Sequence, residues 1–243
     1  GRLGEEVDQP RAGHARLHHQ QDLLGALGDD CILGREQAVP KQLRDPGDHL
    51  REAGLSLGMN ELLRAYGAVG QGSDGRSFLV RLSHQGYGGE RDYSTARNLR
   101  FHATLRQSTP LGDLRVSGTA VDYDADNPGS LSETLLTEDR TQAFANNVRQ
   151  RTGEEGRQAQ LGATLQRSLG RGDLELSAYG IGRSVRNPMP PSIIDLERRV
   201  AGARAVYRAP IPRGTLAFGA EAAAQRDDRL NFANEEGETG AVA

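Results

Sequence analysis

Four arginines, Arg91, Arg183, Arg186 and Arg229, carry the chemistry most worth placing in this chain. A guanidinium presents a planar fork of donors that grips a carboxylate through two parallel hydrogen bonds, so a group of arginines suits an anionic ligand. Arginines also pair with Asp and Glu merely to neutralise a polar wall, and they supply nearly all the positive charge here, Lys41 being the only lysine. The acidic run "DYDADNPGSLSE" sets Asp122, Asp124, Asp126 and Glu133 in the spacing of a calcium loop. Asn127 and Pro128 stand where that loop needs glycine for its sharp turn, so the carboxylates read better as an acidic rim at a strand end. His14 and His18 have the spacing that puts two imidazoles on one helix face, with His19 beside them, but no third ligand follows and no metal site is expected. Gly180 and Gly182 lie mid-strand with no helix pattern after them; they are no dinucleotide loop, and glycine there is expected to relieve crowding in a curved strand. Neither a nucleophile elbow nor a catalytic carboxylate pair stands out, so the chain does not read as an enzyme and no cofactor is expected.

The elements that must position these side chains are strands. In "GRQAQLGATLQRSLG" (156–170), Ala159, Leu161, Ala163 and Leu165 share one face of an extended chain, and Gln158, Gln160, Thr164, Gln166 and Ser168 share the other. The same alternation recurs and predicts nine strands, at 49–59, 63–71, 77–88, 96–107, 113–124, 157–169, 173–185, 196–208 and 215–230. "SDGR" (73–76), "TPLG" (109–112), "GRG" (170–172) and "IPRG" (211–214) are tight turns. Longer polar connections are expected between them, of which 125–156 is the extreme. Short turns at one end and long loops at the other are the habit of an outer-membrane β-barrel. The polar face would then line a wet lumen and the apolar face would meet outer-membrane lipid.

Composition agrees with this and excludes other classes. Of the 243 residues, 36% are hydrophobic and 5% aromatic, with no Trp, a thin supply for a solid core. A net charge of −3 gives no nucleic-acid footprint, and the single Cys31 excludes an internal disulfide. No stretch has the roughly 18 continuous apolar residues of a membrane helix, a criterion that leaves barrel strands untouched. A soluble sandwich also alternates, but strands of 10–13 residues with Arg, Glu and Gln on the polar face favour a barrel. Tyr87, Tyr93 and Tyr123 read equally as ligand contacts or as residues of an aromatic girdle.

Several segments resemble the TonB-dependent outer-membrane receptors, nearest to the ferric-siderophore or ferric-citrate type. They are "RDPGDHLREAGLSLG" (44–58), "SFLVRLSHQGYGGERDYS" (77–94), "DYDADNPGSLS" (122–132) and "RQAQLGATLQRSLGRGDLELSAYGIGR" (157–183). "DLERRVAGARAVY" (195–207) and "FGAEAAAQRDDRLNFANEEG" (218–237) continue the likeness, and "NPGSLS" followed by "DRTQAFANN" (139–147) is its most specific piece. The resemblance implies an all-β fold: an antiparallel transmembrane barrel of about 22 strands, closed by an N-terminal plug. It implies energy-coupled uptake of a ferric chelate, a siderophore or citrate, through the inner-membrane TonB complex, at the cell outer membrane. Arg91, Arg183, Arg186 and Arg229 would lie near the extracellular mouth and hold the anionic chelate.

On this reading residues 44–243 are the N-terminal part of the barrel, with "RDPG" (44–47) where the plug hands over, and the chain breaks off at "GAVA" inside a loop. Residues 1–43 carry no plug motif and no energy-coupling box, and their composition is that of a segment read out of frame or disordered. The rival readings are a small outer-membrane porin or adhesin-like barrel, which needs an even strand count and an aromatic C-terminus, and a soluble β-rich binding module.

Overall fold

The computed structural model describes residues 48–242. The unassigned segment 1–43, the His14, His18 and His19 group, and the "RDPG" hand-over lie outside the described residues. The rest forms one antiparallel sheet in which every strand pairs with its sequence neighbours. The strands are β1 (His49–Leu57), β2 (Leu63–Ser73), β3 (Arg76–Tyr87), β4 (Ala96–Thr109) and β5 (Gly112–Asp126), then β6 (Gly153–Leu169), β7 (Gly172–Pro188), β8 (Ser192–Ile211), β9 (Gly214–Glu235) and β10 (Glu238–Val242). All nine expected strands are present. The tenth corrects the expectation that the chain breaks off in a loop: Glu238 pairs with Glu235, and Val242 with Phe232.

One end of the sheet, here the lower end, holds four two-residue turns. Asp74-Gly75 joins Ser73 to Arg76, Pro110-Leu111 joins Thr109 to Gly112, Gly170-Arg171 joins Leu169 to Gly172, and Pro212-Arg213 joins Ile211 to Gly214. Gly170 opens its turn at φ 63°, a left-handed conformation that costs a side-chain-free residue nothing. The upper end was expected to carry only longer loops, and here the structure differs. Residues 189–191 suffice between β7 and β8, and Glu236-Gly237, at φ 56° and 91°, make a tight hairpin between β9 and β10. The long connection holds two short helices, α1 (Glu133–Glu138) and α2 (Ala145–Arg149), with Ser132 capping α1 through Leu135 N–H.

The two faces differ as the alternation requires. Ala68, Leu79, Thr104 and Val206 are buried, and the pairing register puts all four on the polar face, which is therefore the closed, inner side of a curved sheet. The exposed large hydrophobics of the strand centres, among them Leu55, Val69, Leu82, Leu105, Leu161 and Phe218, share the opposite, outer face. Crowding does not explain Gly180 and Gly182: the nearest atom to a Cβ at Gly180 would be Val200 O at 3.9 Å, and a Cβ at Gly182 would meet nothing within 4 Å. Close approach is found instead at Gly54, Gly156 and Gly202, where the rings of their cross-strand partners Tyr66, Tyr123 and Tyr179 fill the space a Cβ would take.

Candidate ligand-binding wall and rim

The outer face defines an axis for the molecule. One row of paired residues runs from Arg51 of β1 through Val69, Val80, Ala103, Gly118, Leu161, Gly180 and Ala201 to Ala224 of β9. On β1 the outward apolar residues Ala53, Leu55 and Leu57 all lie above this row, whereas on β9 Leu216, Phe218, Ala220 and Ala222 all lie below it. The midpoint of the apolar belt thus moves from four residues above the row, at Leu55, to four below it, at Ala220, a slip of about one residue per strand. With a rise of about 3.3 Å per residue and a strand spacing of about 4.8 Å, a level belt requires strands tilted by roughly 35° from the axis perpendicular to it.

Directly above the belt, on the same face, stands a charged collar. Asp122 pairs with Arg157 at 2.8 Å, Asp124 with Arg97 at 3.8 Å, Glu155 with Arg186 at 3.7 Å, and Asp228 with Arg226 at 3.3 Å. Asp122, Asp124 and Asp126 therefore belong to a continuous strand, each turned outward, and do not wrap a cation; Thr95 donates its hydroxyl hydrogen bond to Asp126. The acidic-rim reading of this segment describes them. At the lower edge of the belt the Tyr207 and Phe218 rings pack at 5.4 Å, and the Tyr207 hydroxyl donates to Leu169 O at 2.9 Å.

The four arginines singled out from the sequence separate into three environments. Arg91 lies in the β3–β4 loop and is consumed by backbone: its guanidinium donates to Gly129 O at 2.7 Å, to Gln142 O at 3.0 Å and to Pro128 O at 3.3 Å. It pins that loop to the 127–152 connection. Arg186 faces outward in the collar and also donates to Gly237 O at 3.3 Å. Only Arg183 and Arg229 face inward. Arg183 donates to the Tyr123 hydroxyl at 3.3 Å, and that hydroxyl donates to Glu154 at 2.5 Å; Arg229 donates to Asn231 Oδ1 at 3.3 Å. Tyr87 and Tyr123 also sit on the inner register, so the outward-facing aromatics of the strands are Phe78, Phe101, Tyr207, Phe218 and Phe232 instead.

Sequence reasoning missed the pair at the centre of this wall. Arg198 grips Asp227 through two hydrogen bonds of 2.8 and 2.7 Å, directly across β8 and β9 and one strand from Arg183. The strand register was the only signal that could have revealed it. Lower on the inner face, Arg106 and Arg115 stand opposite each other on β4 and β5. Beside them a depression of about 290 Å³ opens over Gly162, lined by Arg115, Ser117, Thr164, Ser177 and Tyr179.

The upper loops are held by polar contacts. Asn127 N–H donates to Thr152 O at 2.9 Å, and the Thr152 hydroxyl donates back to Asn127 O at 2.8 Å. Asp139 accepts from both the hydroxyl and the N–H of Thr141, which holds its carboxyl below the usual carboxylate value. Partial burial, reinforced by the neighbouring Asp126 carboxylate, pushes the Tyr93 hydroxyl above its ordinary value.

A tilted antiparallel meander with an apolar outside and a polar inside is a segment of a β-barrel. Among solved structures it is similar to the ferric citrate transporter FecA in the unliganded form, with a TM-score of 0.60 and 18% identity over 81% of this chain. The chain spans 32% of that structure's length. At this level of identity the likeness shows the fold. No protein-family model and no curated protein matches the chain.

Proposed function

We propose that this chain is part of an outer-membrane receptor barrel of the TonB-dependent kind, serving energy-coupled uptake of a ferric chelate such as a siderophore or citrate. The observation that carries this reading is the apolar belt and its slip across the register. A soluble module has no reason to keep one exposed face apolar at a constant level across nine strands while the strands slide past one another. A barrel in a bilayer must do so, because its strands tilt by about 35–45° and the hydrocarbon layer is level. The arginines of the inner wall supply the charge that a ferric chelate bearing carboxylates calls for. The inner-membrane energy-coupling complex and the extracellular loops are the partners this function requires. Catalysis has no part in it.

Site-directed labelling tests the orientation. In a Cys31→Ser background, Leu161→Cys and Gln160→Cys place a thiol on the outer and inner faces of one strand. In native outer membranes the thiol at 161 is expected to react with a lipid-soluble maleimide and resist a water-soluble one, and the thiol at 160 to behave in the opposite way. Equal reaction of both with the water-soluble reagent overturns the membrane reading in favour of a soluble β module.

A further inference from the structure

The apolar belt has two margins, and they are charged differently. Above it, each of the five outward arginines, Arg199 with Glu197 at 3.7 Å included, reaches a carboxylate at 2.8–3.8 Å. Below it, the outward residue that ends the apolar run is Arg51 on β1, Arg76 on β3 and Arg167 on β6, with Gln71 on β2 and Gln107 on β4 between them. The remaining strands have only glycine or an apolar residue there. Arg171 and Arg213 follow in the turns below. All five are exposed. Among the described residues the side chains of Arg51, Arg167, Arg171 and Arg213 make no hydrogen bond and no ion pair, and Arg76 donates only to Gln107 at 3.3 Å. The acids of this end do not answer them. Asp113 and Asp173 stand on the inner register, where they accept from Ser108 at 2.7 Å and Ser168 at 2.9 Å. Asp48, opposite Gly72, falls on the same register and has a contact of its own. Asp74, in the first turn, pairs with none of the five.

The level of these arginines decides what they can meet. Arg51, Arg76 and Arg167 lie four, four and five residues below the centres of their strands' apolar runs. At a tilt of about 35° that is about 11–14 Å along the axis, the edge of an apolar band about 25 Å tall, where lipid headgroups begin. A Cβ at Gly112 would stand 3.0 Å from the Arg167 Cβ, so the absent side chain leaves the guanidinium room to swing along the belt. The three are spread from β1 to β6 and converge on no single point, which suits a surface of many headgroups and not one solute. A guanidinium grips phosphate oxygens, and with no carboxylate on the margin to meet an ammonium, net-negative headgroups are favoured over zwitterionic ones. We infer that this lower margin is a binding surface for the phosphodiester headgroups of anionic phospholipid, in the leaflet nearest the short turns. The inference rests on the proposed barrel reading and adds a lipid preference that a barrel as such does not require.

The test is electron spin resonance on the full chain reconstituted in phosphatidylcholine vesicles, with traces of spin-labelled phosphatidylglycerol or spin-labelled phosphatidylcholine. The wild type is expected to associate with the phosphatidylglycerol label about fivefold more strongly, the scale of one arginine at an anionic headgroup, and to lose that preference in about 1 M salt. The triple variant Arg51→Gln, Arg76→Gln, Arg167→Gln is expected to show no preference. The triple variant R64Q/R100Q/R115Q removes the same charge from the inner face and is expected to keep it. Heat-modifiable mobility in gels verifies that each variant is folded. A wild type without preference, or an equal loss in both triple variants, overturns the lipid surface and leaves the barrel reading standing. A thiol at 161 that reacts with the water-soluble maleimide overturns the barrel reading, and the lipid surface with it.

Discussion

The belt region and the upper extension are built from the same strands but held by different forces. Within the belt, Leu55, Val69, Leu105, Leu161 and Phe218 have no partner across a core; their stability depends on what surrounds the sheet. Above the collar, Ile193 is wholly buried between Pro188 and Phe232, although its register faces outward. There Asn234 donates to Gln150 O at 2.8 Å and to Met189 O at 3.2 Å, and Arg151 meets Glu238 at 3.0 Å. The lower part of the sheet therefore leaves its apolar side uncovered, and the upper part folds its long connection back to cover itself. One strand can serve both regimes because backbone pairing is indifferent to what the side chains face.

The largest way to break that contrast is a charge in the belt. Leu161→Arg is expected to cost about 2–4 kcal/mol of folding stability in lipid, against near zero for Gln160→Arg on the inner face. Reversible unfolding in lipid vesicles measures both. Similar costs for the two variants would erase the distinction between the faces. Next comes the loop clamp. Arg91→Ala strips hydrogen bonds from the carbonyls of Pro128, Gly129 and Gln142, an expected local loss of about 2 kcal/mol. It should appear as faster proteolysis and hydrogen exchange across 127–152, with the belt strands unchanged and Arg91→Lys restoring only part.

A smaller effect is expected at the Arg198–Asp227 pair, whose side chains are 34% and 32% exposed. Truncating Arg198 to Ala should cost up to about 1 kcal/mol, screened by salt. A much larger loss, insensitive to salt, would mean that the pair is enclosed in the working protein. The smallest effect belongs to Asp139. Its carboxyl titrates below the ordinary value of 3.8 in the folded loop, so its contribution is complete above that pH and is lost as pH falls through the lower, folded value. Amide exchange at Thr141 should accelerate in that acid window, and Asp139→Asn should remove the pH dependence.

The strands were legible where one face is apolar and the other polar. β4 and β5 were anticipated to within two residues at each end, because Leu99 to Leu105 and Leu114 to Ala120 mark their outer faces without interruption. The prediction faltered where both faces turn polar. β6 begins at Gly153, four residues earlier than expected, and β10 was not anticipated. Residues such as Glu154, Glu155 and Glu238 carry no period of two, since neither side of the sheet there excludes water.

The candidate site was less legible still. Arginine content and the approximate level of each strand placed all four arginines near the mouth, but β7 was expected to end at 185, so the alternation that turns Arg186 outward and Arg183 inward was not carried as far as Arg186. Nor could it foresee that Arg91 would be spent on three carbonyls. By itself the sequence determined the strands, the four lower turns and the identity of the apolar face, because each follows from local alternation and turn chemistry. The tertiary structure alone decided the register, and with it the tilt of the belt, the Arg106–Arg115 juxtaposition and the grip of Arg198 on Asp227. Those relations join residues tens of positions apart, and only the hydrogen-bonded pairing of whole strands fixes which of them meet.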